Sequence, residues 1–235
     1  MIKRLSLALT IACLFILAMA VPSFAQANEA QNYKLFGTMQ RALDPQNPDN
    51  EVISSRLDVN DPDAIFAGAI RKLNVKVAQL DNQVQTKYFF VSPRNCNGGS
   101  PRIQLAVDIN GDGRSDGNAF GYIGPAFSFT PCTADEWKFE DLTDAQNRWE
   151  LSQFFGANGF CTNNPGVCPA QPTPFVIPWD AMEAFLMAIP THKILTGALV
   201  DDTFGAAGQA GTAYYDNLTI GKRTLDGWED TTANK

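Results

Sequence analysis

Apolar and polar residues alternate with a period of two over several short stretches of the chain. This alternation is typical of strands that bury one face, because successive side chains of a strand point to opposite sides. A further strand signal begins near Val52. The alternating or strand-like stretches are residues 73–77, 83–90, 102–107, 118–124, 137–142, 148–155, 193–201 and 213–220.

Turn residues indicate how two pairs of these strands connect. Asp81-Asn82 separates two alternating runs and therefore predicts a β-hairpin between them. The loop at residues 108–117 is rich in Asp, Asn and Gly, and it predicts a second hairpin between the strands on either side of it.

One stretch has a helical pattern instead. Apolar residues recur at helical spacing across residues 178–190, where Pro178 suits the first turn and Pro190 ends the helix. Many short strands with one helix predict an all-β chain. We expect a two-sheet antiparallel β-sandwich, jelly-roll-like, with one short helix near residues 178–190.

The first residues have the pattern of a secretory signal peptide. Two basic residues precede an apolar run that ends at Pro22, and small residues at positions 23 and 25 suit signal peptidase. We therefore expect cleavage after Ala25, which removes residues 1–25, and secretion of the rest to the extracellular space, the periplasm or the cell surface. An uncleaved anchor is the alternative, but the run is slightly short for a membrane span. We expect no membrane span after cleavage.

The rest of the chain divides by composition. Residues 26–50 are rich in Asn, Pro and Asp and predict a loose N-terminal arm. Residues 51–228 are predicted to form a single β-sandwich domain, and residues 229–235 a polar tail. Removal of the two basic residues of the signal changes the formal net charge from −7 to −9. A surface of this charge repels nucleic acid, so we expect no nucleic-acid partner.

Four of the five cysteines remain after cleavage, because Cys13 lies in the apolar run. An even number of cysteines in an exported protein predicts two disulfides. Three pairings are possible, and the one that closes two local loops is favoured: Cys96–Cys132 and Cys161–Cys168. Zinc is the alternative, but these cysteines lack the close paired spacing of zinc sites.

The predicted loop at residues 108–117 carries the one motif with a defined chemistry. Oxygen-bearing side chains fall at positions 1, 3, 5 and 9, and Gly113 falls at position 6, as in a calcium-binding loop. The predicted ligands are Asp108, Asn110, Asp112, the backbone carbonyl of Arg114, and Asp116.

Two features distinguish this loop from an EF-hand. Position 12 is Ala119 instead of a bidentate Glu, and the flanking segments are predicted strands. We therefore predict a structural Ca²⁺ site of the kind found in β-flanked loops of extracellular proteins. A tight Asn/Asp/Gly turn without an ion is the alternative.

The residues around this loop resemble a group of uncharacterised secreted bacterial β-sandwich proteins. The likeness is carried by CNGGSPRIQLAVD at residues 96–108, GDG at 111–113 and GNAFGYIG at 117–124. The resemblance implies a jelly-roll-like sandwich that is similar in outline to carbohydrate-binding modules. It implies no particular activity.

Aromatic side chains offer a candidate ligand surface, because Trp and Tyr can stack on sugar rings. Burial in the core is the alternative for each of them. The candidates are Tyr122, Trp137, Trp149, Trp179, Tyr214, Tyr215 and Trp228.

The sequence gives little support for catalysis. His192 is the only histidine, and no nucleophile elbow accompanies it, so we interpret it as a surface or capping residue. The acidic residues considered as a glycosidase pair do not show a paired arrangement. They are Glu136, Glu140, Asp141, Glu150 and Glu183.

We therefore expect a secreted, non-catalytic β-sandwich that is stabilised by calcium and binds a glycan or another cell-surface or extracellular component. A secreted, glycosidase-like hydrolase is one alternative. A structural envelope or matrix protein is the other.

Overall fold

The computed structural model describes residues 33–96, 99–124, 132–203, 210–222 and 224–225. These residues form thirteen strands and three short helices. The strands assemble into two antiparallel sheets, which confirms the prediction of an all-β, two-sheet sandwich.

The larger sheet has seven strands, and each pairs with its neighbours in the antiparallel sense. In spatial order they are β1 (Tyr33–Gly37), β4 (Phe66–Val75), β11 (Lys193–Asp202), β6 (Arg102–Asp108), β7 (Gly117–Tyr122), β9 (Trp149–Glu150) and β10 (Val176–Ile177).

The smaller sheet has six strands, five of which follow one path. In spatial order these five are β2 (Gln40–Leu43), β3 (Glu51–Leu57), β12 (Gly211–Ile220), β5 (Val84–Phe90) and β8 (Lys138–Asp141). The sixth, β13 (Thr224–Leu225), pairs with β12.

Helical segments lie between the strands. The helices are α1 (Ser152–Phe155), α2 (Phe160–Asn163) and α3 (Trp179–Met187), and 3₁₀ turns occupy Pro62–Ala64 and Val77–Leu80. The longest helix, α3, confirms the helical pattern near residues 178–190. No helix in the described parts of the chain combines the length and the apolar composition that a membrane crossing requires.

The core lies between the two sheets. Inward side chains of β6 and β5, such as Leu105 and Phe90, are fully buried. At one side of the core the rings of Trp149 and Trp179 meet edge to face, with centroids 5.2 Å apart. Gly121 permits this packing, because an added Cβ would lie 2.8 Å from the ring of Trp149.

The hairpin predicted at residues 108–117 is confirmed, since β6 and β7 pair directly. The hairpin predicted around Asp81-Asn82 is wrong. The strands on either side, β4 and β5, belong to different sheets. Between them, Val77 and Leu80 are buried within the 3₁₀ turn, and Asp81 and Asn82 adopt positive φ angles of 60° and 53°. An alternating pattern of apolar and polar residues therefore does not show whether two successive strands pair in one sheet or lie in different sheets.

Two further expectations need correction. The stretch at residues 148–155 is not one strand, because β9 ends at Glu150 and α1 follows. The segment at residues 26–50 is not simply a loose arm, since β1 and β2 lie in it and pair with β4 and β3. Backbone pairing and the burial of Tyr33 and Met39 order residues 33–43 of this segment, and residues 26–32 lie outside the described residues. The predicted signal peptide at residues 1–25 and the tail at residues 229–235 lie outside the described residues.

Candidate functional site

The outer face of the smaller sheet carries a cluster of aromatic side chains. Phe89 points outward from β5, yet only 5% of its surface is exposed. Trp137, which directly precedes β8, lies 5.6 Å from it between ring centroids, and Tyr214 of β12 lies 6.1 Å away. Phe89 is therefore a hydrophobic base that supports the two larger rings.

The loop between β2 and β3, residues 44–50, reaches this cluster across the sheet. The indole N–H of Trp137 donates to Asp44 Oδ1 at 3.0 Å, and the side-chain amide of Gln46 donates to the carbonyl of Asp135 at 3.3 Å. Because β2 and β8 lie at opposite edges of the sheet, these bonds place the loop over its outer face.

A groove of about 370 Å³ lies between this loop and β8. Its floor includes Lys87 and Asp216, which occupy paired positions on β5 and β12. Phe139 stands at the groove with 57% of its surface exposed. The residues that line the groove therefore provide aromatic rings together with carboxylate, ammonium and amide groups.

The charges in the groove are balanced and partly paired. The ammonium group of Lys87 lies 3.8 Å from the carboxylate of Asp216, and Lys138 contacts Glu136 at 2.9 Å. Burial disfavours the charge of Asp44, but hydrogen bonds from the Gln46 backbone and the Trp137 indole outweigh it and lower the pKa of this carboxyl below its usual 3.8.

The structure divides the aromatic candidates into two groups. Trp137 and Tyr214 lie on the outer face at or beside the groove, and both are half-buried. Four others are buried, and Trp228 lies outside the described residues. The buried four are Tyr122, Trp149, Trp179 and Tyr215.

The calcium-loop residues Asp108–Asp116 form the connection between β6 and β7, and their side chains bond the loop's own backbone. Asp108 is fully buried, and its two oxygens accept the N–H groups of Gly111 and Gly113 at 2.6 and 2.8 Å. Asp116 Oδ2 accepts the N–H of Ile109 at 2.7 Å. Gly113 has a φ of 85°, as the sharp reversal requires.

The exposed part of this loop continues the same pattern. Asn110 Oδ1 accepts the N–H of Asp112 at 2.9 Å, and Asp112 Oδ1 accepts the N–H of Arg114 at 2.8 Å. Across the described residues, no three His, Cys, Asp or Glu side chains stand close enough to form a metal site. The carboxylates of this loop therefore do not form such a group in the structure.

A buried ion pair connects the two sheets. Arg94 contacts the carboxylate of Asp201, and both side chains are almost completely buried. Tyr215 donates to Asp201 Oδ2 at 2.8 Å, and Ser55 donates to the same oxygen. Arg94 Nη1 in turn donates to Ser55 Oγ at 2.9 Å. Sequence reasoning gave no role to Arg94, because its partners come from three distant segments.

Burial affects the titration of this cluster. It favours the neutral form of Arg94, but the neighbouring Asp201 carboxylate outweighs burial and raises the pKa of the guanidinium. Burial and Asp201 both raise the pKa of the Tyr215 hydroxyl well above its usual range. Asp201 therefore lies between a charged arginine and a neutral tyrosine. We interpret these buried contacts as stabilising the fold.

Two of the acidic residues considered for catalysis take part in structural contacts. Glu140 Oε1 accepts from Arg148 at 2.7 Å, and its Oε2 accepts the backbone N–H of Gly124 at 2.8 Å. Burial raises the pKa of Glu140. Glu150 is buried on β9 and accepts hydrogen bonds from Tyr122 and Ser152.

Of the two interpretations of His192, as a surface or as a capping residue, the first is wrong, because only 2% of it is exposed. Its Nε2 accepts the N–H of Val77 at 3.1 Å, and its Nδ1 lies 2.7 Å from the carbonyl of Ile189, near the end of α3. Burial lowers the pKa of the imidazole. A neutral ring that donates from Nδ1 and accepts at Nε2 satisfies both contacts.

Both predicted disulfides are confirmed. Cys96 is joined to Cys132 and Cys161 to Cys168, across separations of 36 and 7 residues. The first connects the segment after β5 with the segment before β8, and the second closes the loop that contains α2.

No protein-family model, curated protein or solved structure matches the chain. The resemblance to secreted bacterial β-sandwich proteins therefore stays a prediction.

Proposed function

We propose that this chain is a secreted, non-catalytic β-sandwich that binds a neutral saccharide in the groove on the outer face of its smaller sheet. The observation that carries the proposal is the exposed ring of Phe139 beside Trp137, in a groove that also holds carboxylates and amides. Such a combination fits a ligand with apolar C–H faces and a hydroxyl-rich rim.

The polar groups of the groove suit hydroxyl recognition. Asp44 and Asp216 offer acceptors, and the side-chain amide of Asn50 can both donate and accept. Trp137 is held by Asp44 and by Phe89, so one aromatic surface is fixed before a ligand arrives. A fixed surface lowers the entropy that binding would otherwise cost.

The charges favour a neutral ligand. Asp44 and Asp216 carry two negative charges at the groove, and Lys87 and Lys138 carry two positive charges. Electrostatic complementarity is therefore weak for a strongly acidic or basic polymer.

Export is supported by the N-terminal residues and by the two disulfides, which form and persist in oxidising compartments.

We expect Phe139→Ala to weaken saccharide binding by about tenfold, because a stacked ring contributes about 1 kcal/mol beyond its buried area. A glycan array would identify the saccharide, and isothermal titration calorimetry would then give the affinity of each variant. Phe139 is exposed, so its replacement should leave the fold intact.

Two control variants make this experiment specific. Phe139→Tyr keeps an aromatic ring and should retain binding, whereas Phe175→Ala removes an exposed ring elsewhere and should have no effect. Equal affinities for Phe139→Ala and the native chain would place the ligand outside the groove. Release of new reducing ends from the bound saccharide would contradict the non-catalytic part of the proposal.

We further propose that the loop Asp108–Asp116 binds Ca²⁺ as a structural ion. Its donors are the oxygen atoms that calcium prefers, and Gly113 has the backbone conformation that such loops require at this position. The side chains at positions 1, 3, 5 and 9 already turn onto their own loop. Ligands of a calcium loop commonly accept backbone N–H bonds as well, since each oxygen has two lone pairs.

Calcium at about a hundredfold excess over its dissociation constant should stabilise the fold by about 2.7 kcal/mol. This corresponds to a rise in melting temperature of roughly 5–11 °C for a domain of this size. Thermal melting with calcium and with chelator measures the effect. Asp112→Ala should abolish it, whereas Asp58→Ala, in another turn with the same side-chain-to-backbone bond, should not. A calcium response that persists in Asp112→Ala would exclude this loop as the site.

A further inference from the structure

The 3₁₀ turn Val77–Leu80 lies between β4 of the larger sheet and β5 of the smaller sheet. Its two apolar ends, Val77 and Leu80, are buried in the core. Just after the turn, Asn82 Oδ1 accepts the indole N–H of Trp179 at 2.8 Å, which attaches the turn to the start of α3. The turn is therefore part of the packing that joins the two sheets.

A second attachment lies beyond the end of α3 and depends on one imidazole. The N–H of Val77 donates to His192 Nε2 at 3.1 Å, and His192 Nδ1 lies 2.7 Å from the carbonyl of Ile189. The ammonium group of Lys76 also donates to the carbonyl of Pro190. Because a carbonyl can only accept, Nδ1 carries the hydrogen and Nε2 accepts through its lone pair.

Protonation of the ring removes this second attachment. An imidazolium carries an N–H group at each nitrogen, so Nε2 can no longer accept from Val77, and two N–H groups face each other. His192 is only 2% exposed, so water cannot replace the lost acceptor unless the turn moves. The neutral ring therefore holds the turn, and the charged ring does not.

The charged groups on the turn and on α3 do not favour protonation of His192. Lys76, at the start of the turn, is a cation, and Asp81, at its other end, is paired with Lys222 at 3.7 Å. Residues 186–190, where α3 ends, carry no charge. Burial is the main cause that lowers the pKa of the imidazole below its usual 6.5, and Lys76 adds to it, while the bond to a backbone carbonyl opposes them.

The loop between β6 and β7 also contacts this segment. Thr191, directly before His192, donates to the carbonyl of Ile109 at 2.6 Å. Lys193, directly after it, pairs with Asp108 in the ladder of β11 and β6, and the carboxylate of Asp108 accepts two N–H groups of its own loop. No ion pair among the described residues joins His192 to a carboxylate. A charged ring would therefore add to the positive charge of its neighbours.

We propose that His192 is a pH-sensitive clasp: in mildly acidic surroundings Nε2 takes up a proton from solvent and releases the turn Val77–Leu80 from the end of α3. His192 is the only histidine in the chain, and histidine is the side chain that ordinarily titrates between pH 5 and 8. The bond between Trp179 and Asn82 contains no such group, so the opening is confined to one end of α3. None of these residues lines the saccharide groove, so the clasp is independent of it.

The sign of the pH dependence follows from the lowered pKa of His192. The stability that the neutral ring contributes is present above about pH 6.5, where the ring is also neutral in the unfolded chain, and it is lost as the pH falls toward the pKa of the folded state. Glu140 acts in the opposite direction, because burial raises its pKa and the folded state then binds the proton more tightly.

Thermal melting at pH 7.5 and at pH 5.5 tests the clasp. The melting temperature should be lower at pH 5.5 by up to about 3–6 °C, because exclusion of one proton costs up to about tenfold in the folding equilibrium per pH unit below 6.5. His192→Gln offers Val77 an acceptor oxygen but does not titrate, so its melting temperature should change less over this range.

Hydrogen exchange followed by mass spectrometry tests where the protein opens. After correction for the intrinsic pH dependence of exchange, residues 76–80 should exchange up to about tenfold faster at pH 5.5 than at pH 7.5, whereas β6 should not change. An NMR titration of the single imidazole gives its pKa in the native protein, even if His192→Gln does not fold. A pKa of 6.5 or higher, or an equal pH response of the native protein and folded His192→Gln, would refute the proposal.

Discussion

Replacement of Asp201 by Asn is expected to lower the free energy of unfolding by about 3–5 kcal/mol, as removal of one partner from a buried ion pair does. The substitution preserves side-chain size but leaves the charge of Arg94 buried without its carboxylate. It also weakens the bonds from Ser55 and Tyr215, which both donate to Asp201. Urea unfolding, followed by circular dichroism, measures the loss.

The next residue on β11 provides a matched control. Asp202 forms an ion pair with Arg102 at 2.8 Å, but both side chains retain some contact with water. Partly exposed pairs contribute less than buried ones, so Asp202→Asn should cost about 1 kcal/mol or less. Similar losses for Asp201→Asn and Asp202→Asn would show that burial of the Arg94 pair does not determine its contribution.

A double variant separates the effect of the lost charge from that of lost packing. If Arg94→Met accompanies Asp201→Leu, no buried charge remains, and much of the stability lost in Asp201→Asn should return. If the double variant is instead less stable than Asp201→Asn, the hydrogen bonds of Ser55 and Tyr215 to Asp201 contribute more than the ion pair.

The strands could be predicted from the sequence because alternation is a local property. The 102–107 and 118–124 stretches form a hairpin, and the loop between them is short and rich in turn residues. By contrast, β4 and β5 show the same alternation around Asp81-Asn82 and lie in different sheets. Whether β4 and β5 form a hairpin or lie in different sheets depends on the burial of Val77 and Leu80, and tertiary packing determines that burial.

For the candidate sites too, features set by neighbouring residues can be predicted from the sequence, and features that depend on tertiary packing cannot. The oxygen pattern of the 108–116 loop can be read from nine consecutive residues, so the sequence alone is enough to predict the Ca²⁺ ligands that we propose there. The groove could not be predicted in this way, because Asp44, Trp137 and Asp216 are far apart in the chain and meet only across the folded sheet. The sequence did include Trp137 and Tyr214 among its aromatic candidates, but only the structure separates them from buried rings such as Trp149.

The two disulfides should contribute unequally to stability. In the chain-entropy account, a disulfide stabilises the fold by restricting the unfolded chain, and the effect grows with the length of the closed loop. Separations of 36 and 7 residues correspond to about 4 and about 2.5 kcal/mol. Cys96→Ser with Cys132→Ser should therefore lower the free energy of unfolding more than Cys161→Ser with Cys168→Ser. Urea unfolding of both double variants provides the comparison.

The stability lost on removal of the Cys96–Cys132 disulfide should also depend on the buried ion pair between Arg94 and Asp201. Cys96 lies two residues after Arg94, so its disulfide restrains the segment that places the guanidinium next to Asp201. We expect Asp201→Asn and loss of the Cys96–Cys132 disulfide to be non-additive, with a combined cost below the sum of the two by at least about 0.5 kcal/mol. Loss of the Cys161–Cys168 disulfide should instead add to the cost of Asp201→Asn. Additivity in both combinations would show that the Cys96–Cys132 disulfide acts on the unfolded chain alone.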